Sequence, residues 1–115
     1  MDSLDQYRQI ILQVLSDYAA FASQGSSPQG TYEYEVIVDQ AATHYLVILQ
    51  GWEGRRRIHA CIIHIDIIDG KIWIQHDGTE DGVGQELLNA GVPKDKIVLG
   101  FKSPTLRKYT EFAAA

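Results

Sequence analysis

The dipeptide Asp69-Gly70 stands between two apolar, β-branched runs, one ending in Ile62-Ile63-His64-Ile65-Asp66-Ile67-Ile68 and the other reading Lys71-Ile72-Trp73-Ile74-Gln75. A two-residue type I′ reversal needs positive φ, which Gly adopts freely and Asp tolerates, so this pair joins two antiparallel strands. The first run, from Arg55 to Ile68, is apolar on both faces, the pattern of a central strand covered on both sides. The hairpin therefore sits inside a larger sheet, and something must cover its second face.

Two further strands precede it. From Thr31 the pattern has a period of two, with Tyr32, Tyr34, Val36 and Val38 on one side and Glu33 and Glu35 on the other. A second strand runs from about His44 to Gln50 and closes in Gly51-Trp52-Glu53-Gly54, whose glycines permit a tight reversal. These two pair as a hairpin and complete a four-stranded antiparallel meander.

Helical spacing frames the sheet. Leu4, Tyr7, Ile11, Val14, Leu15, Tyr18 and Phe21 form one apolar stripe behind a Ser3/Gln6 capping-box pattern, predicting a helix over about 3–23. The small and polar stretch 24–30 is a loop. Val83, Leu87 and Leu88, followed by Gly91 and Pro93, describe a short helix with a glycine stop. Ile97-Val98-Leu99 is expected as a short edge strand, Pro104 to Phe112 as a last short helix behind Ser103, and Ala113 to Ala115 as a frayed end. The fold class is α+β: an antiparallel meander of four to five strands with a long N-terminal helix on one face and two short C-terminal helices on the other face or edge. Any face left open is expected to bury itself against a second copy, giving a homodimer.

With 115 residues, 45% apolar and 22% charged, the chain suits one globular domain spanning 1–115. No run reaches the roughly 18 to 20 apolar residues of a membrane span, and the first residues lack the layout of a secretory signal, so the expected location is the cytoplasm. A net charge of −5 argues against unaided DNA binding, because phosphate contacts come from Lys and Arg. DNA is expected to be met weakly or indirectly.

The single cysteine, Cys61, lies in the apolar third strand and is expected to be a buried thiol, excluding an internal disulfide. His44, His59, His64 and His76 lie in or beside strands. The strand period puts His64 and Asp66 on one face, with His59 and Cys61 on the other, so His44 or His76 would have to come from a neighbouring strand to complete a ligand set. No spacing matches an established metal signature; no metal or other cofactor is assigned, and a metal-dependent hydrolase stands as an alternative. No serine lies in a nucleophile elbow, no carboxylate pair is singled out, and Gly82 and Gly84 lack the rest of a nucleotide fingerprint. No catalytic residue is assigned and the chain is read as a binding module. Its candidate contact residues are Trp52, Arg55, Arg56 and Arg57, since guanidinium groups grip carboxylates and phosphates in a forked geometry and stack on aromatic rings.

Several segments in order resemble one family: His44-Tyr45, Gly51-Trp52 with Arg55 to Arg57, His64-Ile65-Asp66-Ile67, and Asp69-Gly70-Lys71-Ile72-Trp73-Ile74-Gln75. Asp77-Gly78-Thr79-Glu80, Gly91-Val92-Pro93-Lys94, Ile97 to Phe101 and Pro104 to Arg107 continue the match. The sequence is similar to the XisI family, the fdxN element excision controlling factors of cyanobacteria. The resemblance implies a non-enzymatic accessory factor that acts with a XisH-like partner and a site-specific recombinase when a DNA element is excised during heterocyst differentiation. The recombinase would supply the nucleophilic serine chemistry.

Overall fold

The computed structural model describes residues 3–24 and 30–115. A 21-residue helix, α1 (Ser3–Ser23), is followed by strands β1 (Gly30–Val38), β2 (His44–Glu53), β3 (Arg56–Ile68) and β4 (Lys71–Asp77). Helix α2 (Val83–Asn89), one 3₁₀ turn (Lys94–Lys96), strand β5 (Ile97–Leu99) and helix α3 (Pro104–Arg107) complete the chain. The strands lie in sequence order, and each neighbouring pair among β1 to β4 is antiparallel. β5 joins β4 in parallel, a crossover made possible by the intervening α2. The α+β class is as expected, and the loop expected at 24–30 lies largely outside the described residues.

The Asp69-Gly70 reversal takes φ of 50° and 77°, the positive pair a I′ turn requires. The β2–β3 reversal is displaced from its expected place. Gly51 and Trp52 stay in β2, and the chain turns at Gly54-Arg55, where Gly54 takes the positive φ of 61°.

Ile11 and Leu15 of α1 are fully buried on the sheet face formed by Tyr45, Val47, Ile63, Ile65, Ile72 and Ile74. Burying a side chain of this size stabilises the fold by about 1.5–3 kcal/mol, and this face holds the main core. Val83 and Leu87 enter the same cluster, so α2 lies on the α1 side of the sheet and not on the opposite face or the edge. On the opposite face, near β4 and β5, Arg107 at the end of α3 stacks over Trp73.

The C-terminus departs from expectation. α3 stops at Arg107, Phe112 packs against the core cluster beside Gly84, and Ala113 forms a parallel bridge to Val98 with its N–H bonded to Ile97 O at 2.9 Å. Ala113 is therefore paired, because the backbone groups of β5 that face away from β4 need a partner.

Candidate functional site

The sheet is interrupted on both sides of His64. Val47 pairs with Ile63 and Ile48 with Cys61, leaving Ile62 as an extra residue in β3; Ile65 pairs with Ile74 and His64 with His76, leaving Gln75 as an extra residue in β4. Such bulges re-aim side chains and occur often beside sites.

His44 of β2 is the register partner of Asp66 of β3, and His64 lies two residues before Asp66 on the same face. His44 Nδ1 lies 2.6 Å and His64 Nε2 2.9 Å from the same oxygen, Asp66 Oδ1. The other carboxylate oxygen accepts a hydrogen bond from Gln75 Nε2 at 3.3 Å. The bulge thus gives Gln75 a second role as a holder of this carboxylate. Asp66, only 7% exposed, is the one buried charged side chain among the described residues. The imidazoles lie nearer solvent, with side-chain exposures of 60% for His44 and 36% for His64.

The hydrogen bond to Asp66 and the charge on that carboxylate raise the His44 pKa above the ordinary histidine value. At Asp66, burial works to raise the carboxyl pKa, but hydrogen bonds from His44 and His64, aided by Gln75, outweigh it and hold the group below the usual carboxylate range. The site pairs an ionised, buried oxygen acceptor with two imidazoles that converge on it. The expected His64–Asp66 pair is present and His44 joins it; His76 and His59 stay exposed, outside the cluster.

Trp52, Arg55, Arg56 and Arg57 form the tip of the β2–β3 hairpin. Trp52 is the register partner of Arg57, whose guanidinium lies 5.4 Å from the Trp52 ring centre, while Arg55 sits in the turn and Arg56 begins β3. Trp52 is half exposed and all three arginines are exposed. Tyr32 donates to Glu53 Oε2 at 2.8 Å and ties the tip to β1.

Cys61 is exposed, contrary to expectation, because the bulge at Ile62 shifts the alternation of β3 and sets Cys61 opposite Ile48, on the face turned away from the core residues Val47 and Ile63. Its thiol still contacts Ile63 O at 3.4 Å, and partial desolvation pushes its pKa up, which disfavours the thiolate. Sequence reasoning missed Asp77. Its Oδ1 accepts from Thr79 N and Oγ1, and its Oδ2 from Val83 N at 2.7 Å, so it fixes the turn into α2. The signal was the Asp-x-Thr spacing of an Asx-type turn ahead of a helix. Beside that turn a cleft of about 500 Å³ is lined by Asp17, Tyr18, Phe21, Glu80 and Asp81, among others.

The family model described as XisI protein matches residues 1–114. The chain belongs to the XisI family. A XisI-like protein from Anabaena variabilis shares 37% identity with this member, covering 98% of this chain and 100% of its own, with a TM-score of 0.86. The crystal structure of the fdxN element excision controlling factor XisI, also from Anabaena variabilis, is likewise 37% identical, covers 99% and 100% of the two chains, and gives a TM-score of 0.79. No curated protein matches this family member. No helix among its described residues is long and apolar enough to cross a membrane.

Proposed function

We propose that this XisI-family chain is a non-enzymatic controlling factor. It acts with a XisH-like partner and a site-specific recombinase in the excision of a DNA element during heterocyst differentiation. The observation that carries this reading is the likeness to the fdxN element excision controlling factor XisI, 37% identical over 99% of this chain. In this reading the protein works in the cytoplasm as a homodimer, and bond-making on DNA belongs to the recombinase.

The hairpin tip is the proposed partner contact. Trp52 offers an exposed ring, Arg57 is already stacked on it, and Arg55 and Arg56 add two exposed charges. Such a patch suits an acidic partner surface, where rim charges govern the rate and the salt dependence of association. Within a chain of net charge −5 this basic patch is local, which favours a protein partner over bulk DNA.

Co-expression with a XisH-like protein from the same genome, followed by co-purification, tests the reading. A stable complex is expected, and it should weaken when Arg55, Arg56 and Arg57 are each changed to Glu. A complex unaffected by that triple change removes the hairpin assignment, and no complex removes the partner. Tight DNA binding by the chain alone, falling steeply with salt, would replace the reading by direct DNA binding. Light scattering checks the dimer, and a clean monomer at micromolar concentration would remove it.

A further inference from the structure

We propose that His44, His64 and Asp66 form a binding site for a divalent transition-metal ion of the zinc type. Their three ligand atoms, one from each residue, lie within 4.8 Å of one another. All three side chains project from the paired strands β2 and β3, a frame more rigid than a loop. Two imidazole nitrogens and one carboxylate oxygen make a borderline donor set, suited to zinc, cobalt or nickel and unsuited to calcium or magnesium.

Three features go beyond a simple hydrogen-bonded trio. The carboxylate is buried, yet both imidazoles converge on one of its oxygens and leave the other to Gln75. That is the outer support by which a ligating carboxylate is oriented. Bulges at Ile62 and Gln75 bracket His64, so the strands are distorted where the donors meet. The imidazoles sit at the solvent-facing side of Asp66, which leaves the remaining coordination positions to water or to a donor from another molecule.

Without metal, each imidazole donates an N–H to Asp66 Oδ1. On binding, the ring proton of a neutral imidazole moves to its outer nitrogen, and the freed lone pair takes the ion. Metal bonds of about 2.0–2.2 Å place the ligand atoms somewhat farther apart than the present 2.6 and 2.9 Å contacts. The exposed His44 ring has room to make that adjustment. This inference is independent of the partner reading.

The test uses the full-length chain without a histidine tag, freed of metal by chelator and dialysed against Zn²⁺, with Co²⁺ as a spectroscopic probe. Saturable uptake of one ion per chain is expected, together with a Co²⁺ visible spectrum showing imidazole ligation. His44→Ala and His64→Ala should each weaken binding at least tenfold, as should Asp66→Asn, while His59→Ala and His76→Ala leave it unchanged. Thermal melts identify variants that fail to fold, and His44→Ala, at the most exposed ligand, keeps the test decisive if Asp66→Asn does not. Substoichiometric uptake overturns the proposal. So does uptake that survives both ligand-histidine changes, or that the two control changes abolish equally.

Discussion

The Arg107 guanidinium lies over the Trp73 ring, 4.9 Å from its centre, while its Nε donates to Lys102 O at 2.9 Å and its Nη2 to Gly100 O at 3.3 Å. One side chain therefore ties the end of α3 to the loop after β5 and to the sheet face that α1 leaves uncovered. Arg107→Ala should cost about 1–3 kcal/mol, the sum of a cation–π contact and charge-assisted hydrogen bonds. Arg107→Lys should recover only part of this, since an ammonium cannot reproduce the forked donors. Urea denaturation of the three proteins measures the ordering.

Asp77 holds the entry to α2 through three hydrogen bonds, to Thr79 N, Thr79 Oγ1 and Val83 N. Asp77→Ala should destabilise the fold by about 1–3 kcal/mol, and Thr79→Ala by less, because the latter leaves the bond to Val83 N intact. Faster amide exchange at Val83 in the Asp77 variant is the local signature. Unchanged exchange there would remove Asp77 as the organiser of this turn.

The His44–Asp66 pair makes stability depend on pH in a defined window. Because the folded chain holds the His44 proton more tightly, that contribution is complete below about pH 6.5, the ordinary imidazole value, and is lost as pH rises through the raised folded-state value. Asp66 is shifted the other way. Its contribution is complete above about pH 3.8 and is lost as pH falls through the lowered folded-state value. The pair stabilises most between those two limits, so in metal-free protein the gap between the native chain and His44→Gln should be wider at about pH 5 than at about pH 8. Equal gaps would sever the link between this histidine and the carboxylate.

Gly100 is hemmed in by the residues that support the site. A Cβ there would stand 2.5 Å from Gln75 Oε1, 3.2 Å from Ile74 O and 3.2 Å from Trp73 Cε3. Gln75 can swing away, but then it releases Asp66, and the Ile74 carbonyl cannot move without disturbing β4. Gly100→Ala should therefore cost about 1–3 kcal/mol and shift the Gln75 side-chain amide resonances. A neutral substitution with unmoved resonances would refute the crowding.

Much of this architecture was legible in the sequence because its signals are local. The α1 stripe, the alternation of β1 and the Asp69-Gly70 reversal each depend on neighbours a few residues apart, and each is found where expected. The candidate site was legible only in part, because it depends on register. A reversal at Gly51–Gly54 would set Gln50 opposite Arg55 and His44 opposite Cys61. The turn at Gly54-Arg55, with the bulge at Ile62, sets His44 opposite Asp66 instead. Strand period alone could place His64 beside Asp66 but could not choose between His44 and His76. The same limitation explains Cys61: an apolar run looks buried throughout, whereas the bulge at Ile62 turns Cys61 to the face away from Ile63 and the core. Ala113 was misread because its pairing needs β5, a partner remote from any local pattern.

The two margins of the sheet are unlike. Beyond β5 the backbone is already engaged by Ala113, whereas β1 ends the ladder on the other side with Glu33 and Glu35 exposed along it. Copies that joined by strand addition would have to meet β1 to β1, a self-complementary contact that uses up the free margin of both. Growth of that kind would stop at two chains for as long as Ala113 keeps its place beside Val98.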